Sequence, residues 1–147
     1  PIFSLGSSAT VDDGRWHHIC ATWDGTTAEG SARIYIDGAL DAQTTARCTE
    51  SGPSSYDLRI GKYYLDGTYP EREQLQYKGS LDELRVWSRA RTADEIAAGM
   101  SLSLSPQQDL VAYWRFDEGS GGTAGDFSGN GWNGTILGGC AWGAAAF

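Results

Sequence analysis

Asp-Gly pairs recur at short intervals along the chain, and they constrain its fold more than any other sequence feature. This dipeptide favours the positive φ angles of the tight turns that join antiparallel strands. The pairs are Asp13-Gly14, Asp24-Gly25, Asp37-Gly38 and Asp66-Gly67. A glycine-rich run follows at residues 119–134. The spacing predicts many short strands joined by turns, as in a sandwich or a jelly roll.

Alternation of apolar and polar side chains indicates where the strands lie. In Ser31–Leu40, the apolar residues at positions 32, 34 and 36 alternate with Arg33 and Tyr35, which is typical of a strand with one face in the core. Further strands are predicted at Trp16–Trp23, Asp57–Gly61, Leu81–Trp87, Leu110–Phe116 and Gly134–Leu137. The sequence therefore predicts an all-β jelly-roll sandwich of two antiparallel sheets.

One short helix is expected to interrupt the strands. Thr92, followed three residues later by Glu95, is the sequence of a capping box, and Gly99 can end the helix. Residues 101–109 are polar and contain Pro106, so they are predicted to form a linker before the strand at Leu110.

Charge and composition exclude two classes of partner. The net charge of -8 would repel a phosphate backbone, and the 11 Lys and Arg residues are scattered, so no nucleic acid is expected. No stretch is long and apolar enough to cross a bilayer, so no membrane insertion is expected. At 147 residues the chain has the length of one domain.

Cysteine usage and one short motif favour an extracellular location, either secreted or at the cell surface. Cys20, Cys48 and Cys140 lack metal-ligand spacing, so disulfides are the better interpretation. Asn133-Gly134-Thr135 is a glycosylation acceptor, with Asn133 as the candidate site. The chain carries neither an initiator Met nor a signal peptide, so we expect it to come from a longer polypeptide.

Two stretches resemble the laminin-G-like domains of the concanavalin A-like lectin/glucanase superfamily. The first begins with Asp13–Gly25, continues through Ile34–Gly38, and ends with Lys78–Trp87 and the Thr92 helix; it resembles the C-terminal half of such a domain. The second, running from Leu110 to Thr135, resembles the opening strands of the family but comes last here.

The permuted order predicts an unusual division of the chain. Residues 1–100 are the C-terminal-half-like part, 101–109 the linker, and 110–147 the opening strands, belonging either to the same permuted domain or to the next repeat. The chain is then a window from a tandem array, a circular permutation, or a chain whose missing strands come from a neighbour. Neighbouring jelly-roll repeats or copies of the same chain are accordingly expected partners.

The resemblance also bears on catalysis and on the cysteines. The family's hydrolases have a strand motif with paired carboxylates, but here Ser80 and Arg85 stand where the motif needs acids, so no enzyme activity is expected. Pentraxin-like relatives pair the cysteine at the position of Cys20 with a strand that this chain lacks. This implies a disulfide between Cys48 and Cys140, with the partner of Cys20 elsewhere.

Calcium is the expected cofactor, in a structural role. Ca²⁺ prefers carboxylate, amide and backbone oxygens, which acidic turn-rich loops supply. Asp117, Asp126 and Asn130 offer that chemistry in the glycine-rich segment, and the resemblance adds Asp82. The alternative is that Asp126 forms an Asx-type turn and Asp117 bonds neighbouring amides.

A sugar site would need exposed aromatic rings beside hydrogen-bonding groups. The candidates are Tyr63, Tyr64 and Tyr69 in a polar insertion, and Trp132 in the glycine-rich segment. These rings could instead cover sheet edges.

The predicted function is a non-catalytic lectin-like module of a larger secreted or cell-surface protein, serving adhesion, matrix or surface-structure assembly. Its expected partner is a glycan or an extracellular protein. The alternative is a carbohydrate-binding accessory module of a polysaccharide-degrading enzyme.

Overall fold

The structure is a computed structural model that describes residues 5–26, 28, 31–45, 57–61 and 77–143. Its described strands are all paired antiparallel, and its one described helix is short, which confirms the predicted fold class. The strands are β1 (Ile19–Trp23), β2 (Ala32–Ile36), β3 (Ala39–Thr44), β4 (Leu84–Trp87), β5 (Leu110–Trp114), β6 (Thr123–Ala124) and β7 (Gly134–Thr135), and the helix α1 is Ala93–Gly99.

The chain divides into two compact units. The larger is Pro1–Thr49 with Asp82–Phe147, and all the described strands and the helix belong to it. The smaller is Glu50–Leu81. In the smaller unit the predicted strand at Asp57–Gly61 is wrong, because these residues form irregular structure and a bend without a ladder. The backbone hydrogen bond described there runs from the Tyr77 N–H to the Gly61 carbonyl, at 2.7 Å.

The first sheet has the order β1-β2-β3. Asp37 and Gly38 form the β2–β3 turn with φ angles of 51° and 80°, as the Asp-Gly pair predicts. At Gly38 a Cβ atom would lie 3.3 Å from the Ala97 Cα of α1, so the helix also needs a glycine at this turn.

His17, which lies just before β1, is held by two side-chain contacts. His17 contacts Asp37 through Nδ1 at 2.8 Å and Asp13 through Nε2 at 3.0 Å. The hydrogen bond to Asp37 and then the one to Asp13 raise the pKa of His17. The backbone N–H of His18 donates to the same Asp37 carboxylate. Both nitrogens of His17 are therefore committed to a structural contact.

The second sheet joins two distant parts of the chain, because β4 pairs with β5 in the register Leu84↔Trp114 to Trp87↔Leu110. β6 pairs with β7 in a separate two-stranded sheet. An isolated bridge links Trp114 of β5 to Asp126. β6 was missed in the sequence, since it lies inside the glycine-rich run. Ala112 and Trp114 of β5 and Ala124 of β6 form a buried cluster. Five half-buried residues pack against it: Leu84, Val86, Phe116, Ile136 and Trp142.

Helix α1 begins as predicted. The Thr92 side chain accepts from the Glu95 N–H, and the Glu95 carboxylate accepts from the Thr92 N–H, which completes the capping box. The helix ends at Gly99, but the C-cap is Met100 in the right-handed region, so Gly99 does not act through a positive φ angle. Ile96 is the buried residue of the helix.

Candidate functional site

An open groove of about 600 Å³ lies beside the start of β5 in the larger unit. Three stretches of the chain line it, and most of their side chains are amides or hydroxyls. Ser88 follows β4; Gln107, Gln108, Asp109, Leu110 and Val111 lead into β5; Ser128, Asn130 and Trp132 come from the glycine-rich segment. The volume lies within the range of sites that hold small ligands.

The glycine-rich segment is tied to β5 by side-chain hydrogen bonds. The Asn130 Nδ2 donates to the carbonyls of Leu110 and Val111, at 3.0 and 2.9 Å. The Ser128 hydroxyl donates to the Val111 carbonyl at 3.1 Å. These bonds tie the loop to the start of β5, so the loop holds one border of the groove in place.

Trp132 is the exposed aromatic residue of the groove. The residue is 61% exposed, although its backbone is hydrogen-bonded at both polar atoms. The Trp132 N–H donates to the Asp126 carboxylate at 2.9 Å, and its carbonyl accepts from the Trp114 indole N–H at 2.8 Å. The indole is thus presented to solvent from a backbone that is already ordered.

Asp126 organises this loop. One carboxylate oxygen accepts from the N–H groups of Tyr113 and Ser128, and the other from the Ser128 hydroxyl and the Trp132 N–H. Burial raises the pKa of this carboxyl group, but the backbone N–H groups of Ser128, Trp132 and Tyr113 outweigh it and lower the pKa to about 2. The Asx-type turn, the alternative to a calcium site, is therefore present.

The opposite border of the groove comes from the stretch predicted as a linker. The Leu110 N–H donates to the Gln107 carbonyl at 3.3 Å, and Asp109 has a left-handed φ angle of 68°. Arg89 Nε donates to the Asp109 carboxylate at 3.0 Å. Sequence reasoning missed Ser88, Gln107, Gln108 and Asp109, because a polar run before a strand is also typical of a plain connection.

The candidate calcium residues have other partners. Asp126 already accepts four hydrogen bonds, about the full capacity of a carboxylate. Asp117 pairs with Arg115 at 2.8 Å, and Asp82 accepts from the Glu83 N–H at 2.9 Å. The structure brings Asn130 to Asp126 through the Ser128 hydroxyl.

These residues do not fit a shared calcium site in this arrangement. In the described ranges no three His, Cys, Asp or Glu side chains lie close enough together to hold a metal ion. Calcium binding stays a prediction; a melting temperature raised by Ca²⁺ and lowered again by a chelator would support it.

The remaining predicted sites are only partly described. Tyr63, Tyr64, Tyr69 and Cys48 lie outside the described residues. Cys140 is exposed and carries no disulfide within the described ranges, and Cys20 is also a free thiol there. Asn133 is exposed and accepts from the Asp126 N–H at 2.8 Å. Its glycosylation and the Cys48–Cys140 disulfide stay predictions.

Glu83 lies in the stretch that was compared with the hydrolase motif, and its carboxylate is engaged in internal contacts. Glu83 accepts from the Tyr113 hydroxyl and from Arg85, and Arg115 Nε lies 3.7 Å from its other oxygen. The Tyr113 side chain is fully buried, and that of Glu83 is only 17% exposed. The Glu83 carboxylate thus faces two partly buried arginines.

The antiparallel fold and the strand motifs agree with a family match. Residues 2–97 match the concanavalin A-like lectin/glucanases superfamily, so the chain belongs to that superfamily and is a lectin-like domain. Within the described residues no helix is both long and apolar enough to cross a membrane.

Two curated proteins and one solved structure are similar to this chain. The pentraxin-related protein PTX3 of Mus musculus is 29% identical over 78% of this chain and 30% of its own length. The adhesion G protein-coupled receptor D2 of Homo sapiens is 31% identical over 69% of this chain and 10% of its own. A solved structure from Bacteroides ovatus, provisionally assigned as a carbohydrate binding protein, has a TM-score of 0.69 and 30% identity, covering 88% of this chain and 36% of its own. The chain spans about a third or less of each.

Proposed function

We propose that this chain is a non-catalytic, glycan-binding module of a larger secreted or cell-surface protein, and that the groove at Trp132 is its binding site. The observation that carries the proposal is the exposed Trp132 ring on a backbone fixed at both polar atoms. The provisional assignment of the Bacteroides ovatus relative to carbohydrate binding supports it.

The chemistry of the groove suits a sugar. A pyranose ring has an apolar C–H face that packs on an indole, and a rim of hydroxyls that need hydrogen-bonding partners. Trp132 supplies the flat apolar surface, and the side chains of Gln107, Gln108 and Ser88 supply amides and a hydroxyl at the same groove. Because the Trp132 backbone is already ordered, little entropy is lost there on binding.

The carboxylates support binding without hydrolysis. Glycoside hydrolysis generally needs two carboxyl groups that flank one glycosidic bond. Asp109 is the one carboxylate among the described residues that line the groove, and it is bonded to Arg89. Glu83 is held by Tyr113 and Arg85.

A role in adhesion or in extracellular assembly is the broader part of the proposal. Relatives named as a pentraxin-related protein and as an adhesion receptor favour it. The Bacteroides ovatus relative favours the second candidate, a carbohydrate-binding accessory module of a polysaccharide-degrading enzyme. A catalytic domain in the same polypeptide would identify the second candidate, and further jelly-roll repeats or a membrane anchor the first.

A glycan array followed by titration of the bound glycans tests the site. We expect the Trp132→Ala variant to lose affinity by about tenfold or more, since a buried aromatic contact contributes about 1.5–3 kcal/mol. The control is Trp16→Ala, which removes another exposed indole outside the groove. Circular dichroism checks that both variants fold. Equal binding by wild type and Trp132→Ala would contradict the proposal, and release of reducing ends by the wild type would contradict its non-catalytic part.

A further inference from the structure

We propose that the groove selects uncharged glycans and rejects sulfated or uronate-rich ones. This inference rests on the proposed function, because it specifies the class of sugar that the same groove takes. Its evidence is separate: it comes from the charges around the groove and not from the Trp132 ring.

The described lining of the groove contains no basic side chain. Its charged member is Asp109, and the other polar members are amides and hydroxyls, from Gln107, Gln108, Ser88, Ser128 and Asn130. Proteins recognise sulfate and carboxylate groups chiefly with Arg or Lys, often in bidentate pairs. Amides and hydroxyls instead match the hydroxyls of an uncharged sugar, which both donate and accept.

The arginine beside the groove is already neutralised. Arg89 donates from Nε to Asp109 at 3.0 Å, while Nη1 and Nη2 contact the two Glu95 oxygens at 2.9 and 2.5 Å. Arg91 also pairs with Glu95, at 3.5 Å, so the two arginines and the two carboxylates of this cluster balance to a net charge of about zero. An anionic sugar at Asp109 would find both arginines of this cluster already paired with carboxylates, so it would gain no new ion pair there.

The charge of the whole chain acts in the same direction. Its net charge is -8, so the approach of a polyanion such as heparin is disfavoured at low ionic strength. Binding of an uncharged sugar should depend little on salt, because no ion pair forms. Selectivity and weak salt dependence are therefore linked expectations.

Matched pairs of polysaccharides test the selectivity. The probes are dextran with dextran sulfate, and methyl-esterified with de-esterified homogalacturonan, beside a glycan array that contains neutral and anionic members. We expect neutral glycans among those bound, each preferred to its charged counterpart by about fivefold or more. Their affinity should change by less than about twofold between 20 and 500 mM NaCl.

A charge-introducing variant makes the test sharper. In Gln108→Lys a cation lines the groove, so affinity for charged glycans should rise by about fivefold and become salt-dependent. Gln43→Lys is the control, because it makes the same charge change at an exposed position of β3 outside the groove. It should leave the selectivity unchanged.

The outcomes separate this inference from the proposed function. Wild-type protein that prefers the charged member of a pair, with affinity falling steeply in salt, would overturn the selectivity while leaving the glycan site standing. Equal gains in Gln108→Lys and Gln43→Lys would also overturn it, since the effect would then come from net charge alone. Absence of binding to any glycan on the array would overturn the proposed function and this inference with it.

Discussion

At the scale of single residues, Asp126 orders one border of the groove. Its carboxylate accepts four hydrogen bonds, and one of them comes from the backbone of Trp132. A charged acceptor is suited to this task, since hydrogen bonds to a carboxylate are stronger than those between neutral groups. The same contacts explain why its pKa falls to about 2 despite partial burial.

Replacing Asp126 by Asn should destabilise the fold, because the new amide would set an N–H group against the donors Trp132 N–H and Ser128 hydroxyl. We expect a loss of about 1–2 kcal/mol at neutral pH, in the lower part of the range for charged hydrogen bonds because the side chain is partly exposed. Urea unfolding measures it. The control is Asp12→Asn, an exposed carboxylate outside the loop.

The contribution of Asp126 to the free energy of unfolding should also depend on pH. The folded pKa of about 2 lies below the ordinary value of 3.8, so the stabilisation is complete above the ordinary value. It is lost as the pH falls through the folded pKa. The difference in stability between wild type and Asp126→Asn should therefore shrink from pH 5 towards about pH 2. A difference that stays constant over this range would contradict the assigned role.

At the scale of elements, the sequence predicts those whose signals are local. The Asp37-Gly38 turn and the Thr92–Glu95 capping box both follow from residues that are neighbours in the chain. The stretch predicted as a linker, residues 101–109, contains three of the residues that line the groove. Sequence reasoning missed them because the placement of Gln107 and Asp109 depends on contacts with Leu110 and Arg89. Trp132 was predicted as a sugar-site residue because it is an aromatic residue in the glycine-rich segment. Its fixed backbone depends on hydrogen bonds with Trp114 and Asp126, which no local pattern shows.

The capping box gives a prediction at this scale. Thr92→Ala removes the side chain that accepts from the Glu95 N–H, so the free energy of unfolding should fall by about 1 kcal/mol. Urea denaturation should show a lower midpoint with an unchanged slope. Ser103→Ala is the control, since it changes an exposed hydroxyl beyond the helix. A midpoint for Thr92→Ala that equals the control would show that the cap contributes nothing measurable.

At the scale of the whole molecule, the permuted order of the family-like stretches has a structural counterpart. β5, which opens the second stretch, pairs with β4 of the same chain, and Trp114 joins the cluster that Leu84 and Val86 border. The sequence alone left open whether this strand serves its own chain or a neighbour, because pairing across many residues leaves no local signal. Assembly with further repeats or copies stays a prediction that light scattering can test.

Removing residues 110–147 should therefore abolish cooperative unfolding of the rest. The truncated chain loses the buried Leu110 and Trp114, and the β4 residues Leu84 and Val86 lose their partner strand. Near-ultraviolet circular dichroism with urea titration measures the effect. Adding a peptide of residues 110–147 should restore the signal. Cooperative unfolding of residues 1–109 alone, at the midpoint of the longer chain, would refute the pairing as a source of stability.

The most direct test of the glycan site is a ¹⁵N–¹H NMR titration with a neutral glycan that the array identifies. We expect the largest chemical-shift changes on the Trp132 indole and on the backbone amides of four other residues that line the groove, Leu110, Val111, Ser128 and Asn130. Trp132→Ala should remove the saturable changes while the rest of the spectrum keeps its dispersion. Saturable changes confined to the sheet of β1, β2 and β3, with the groove signals unmoved, would contradict a glycan site at the groove.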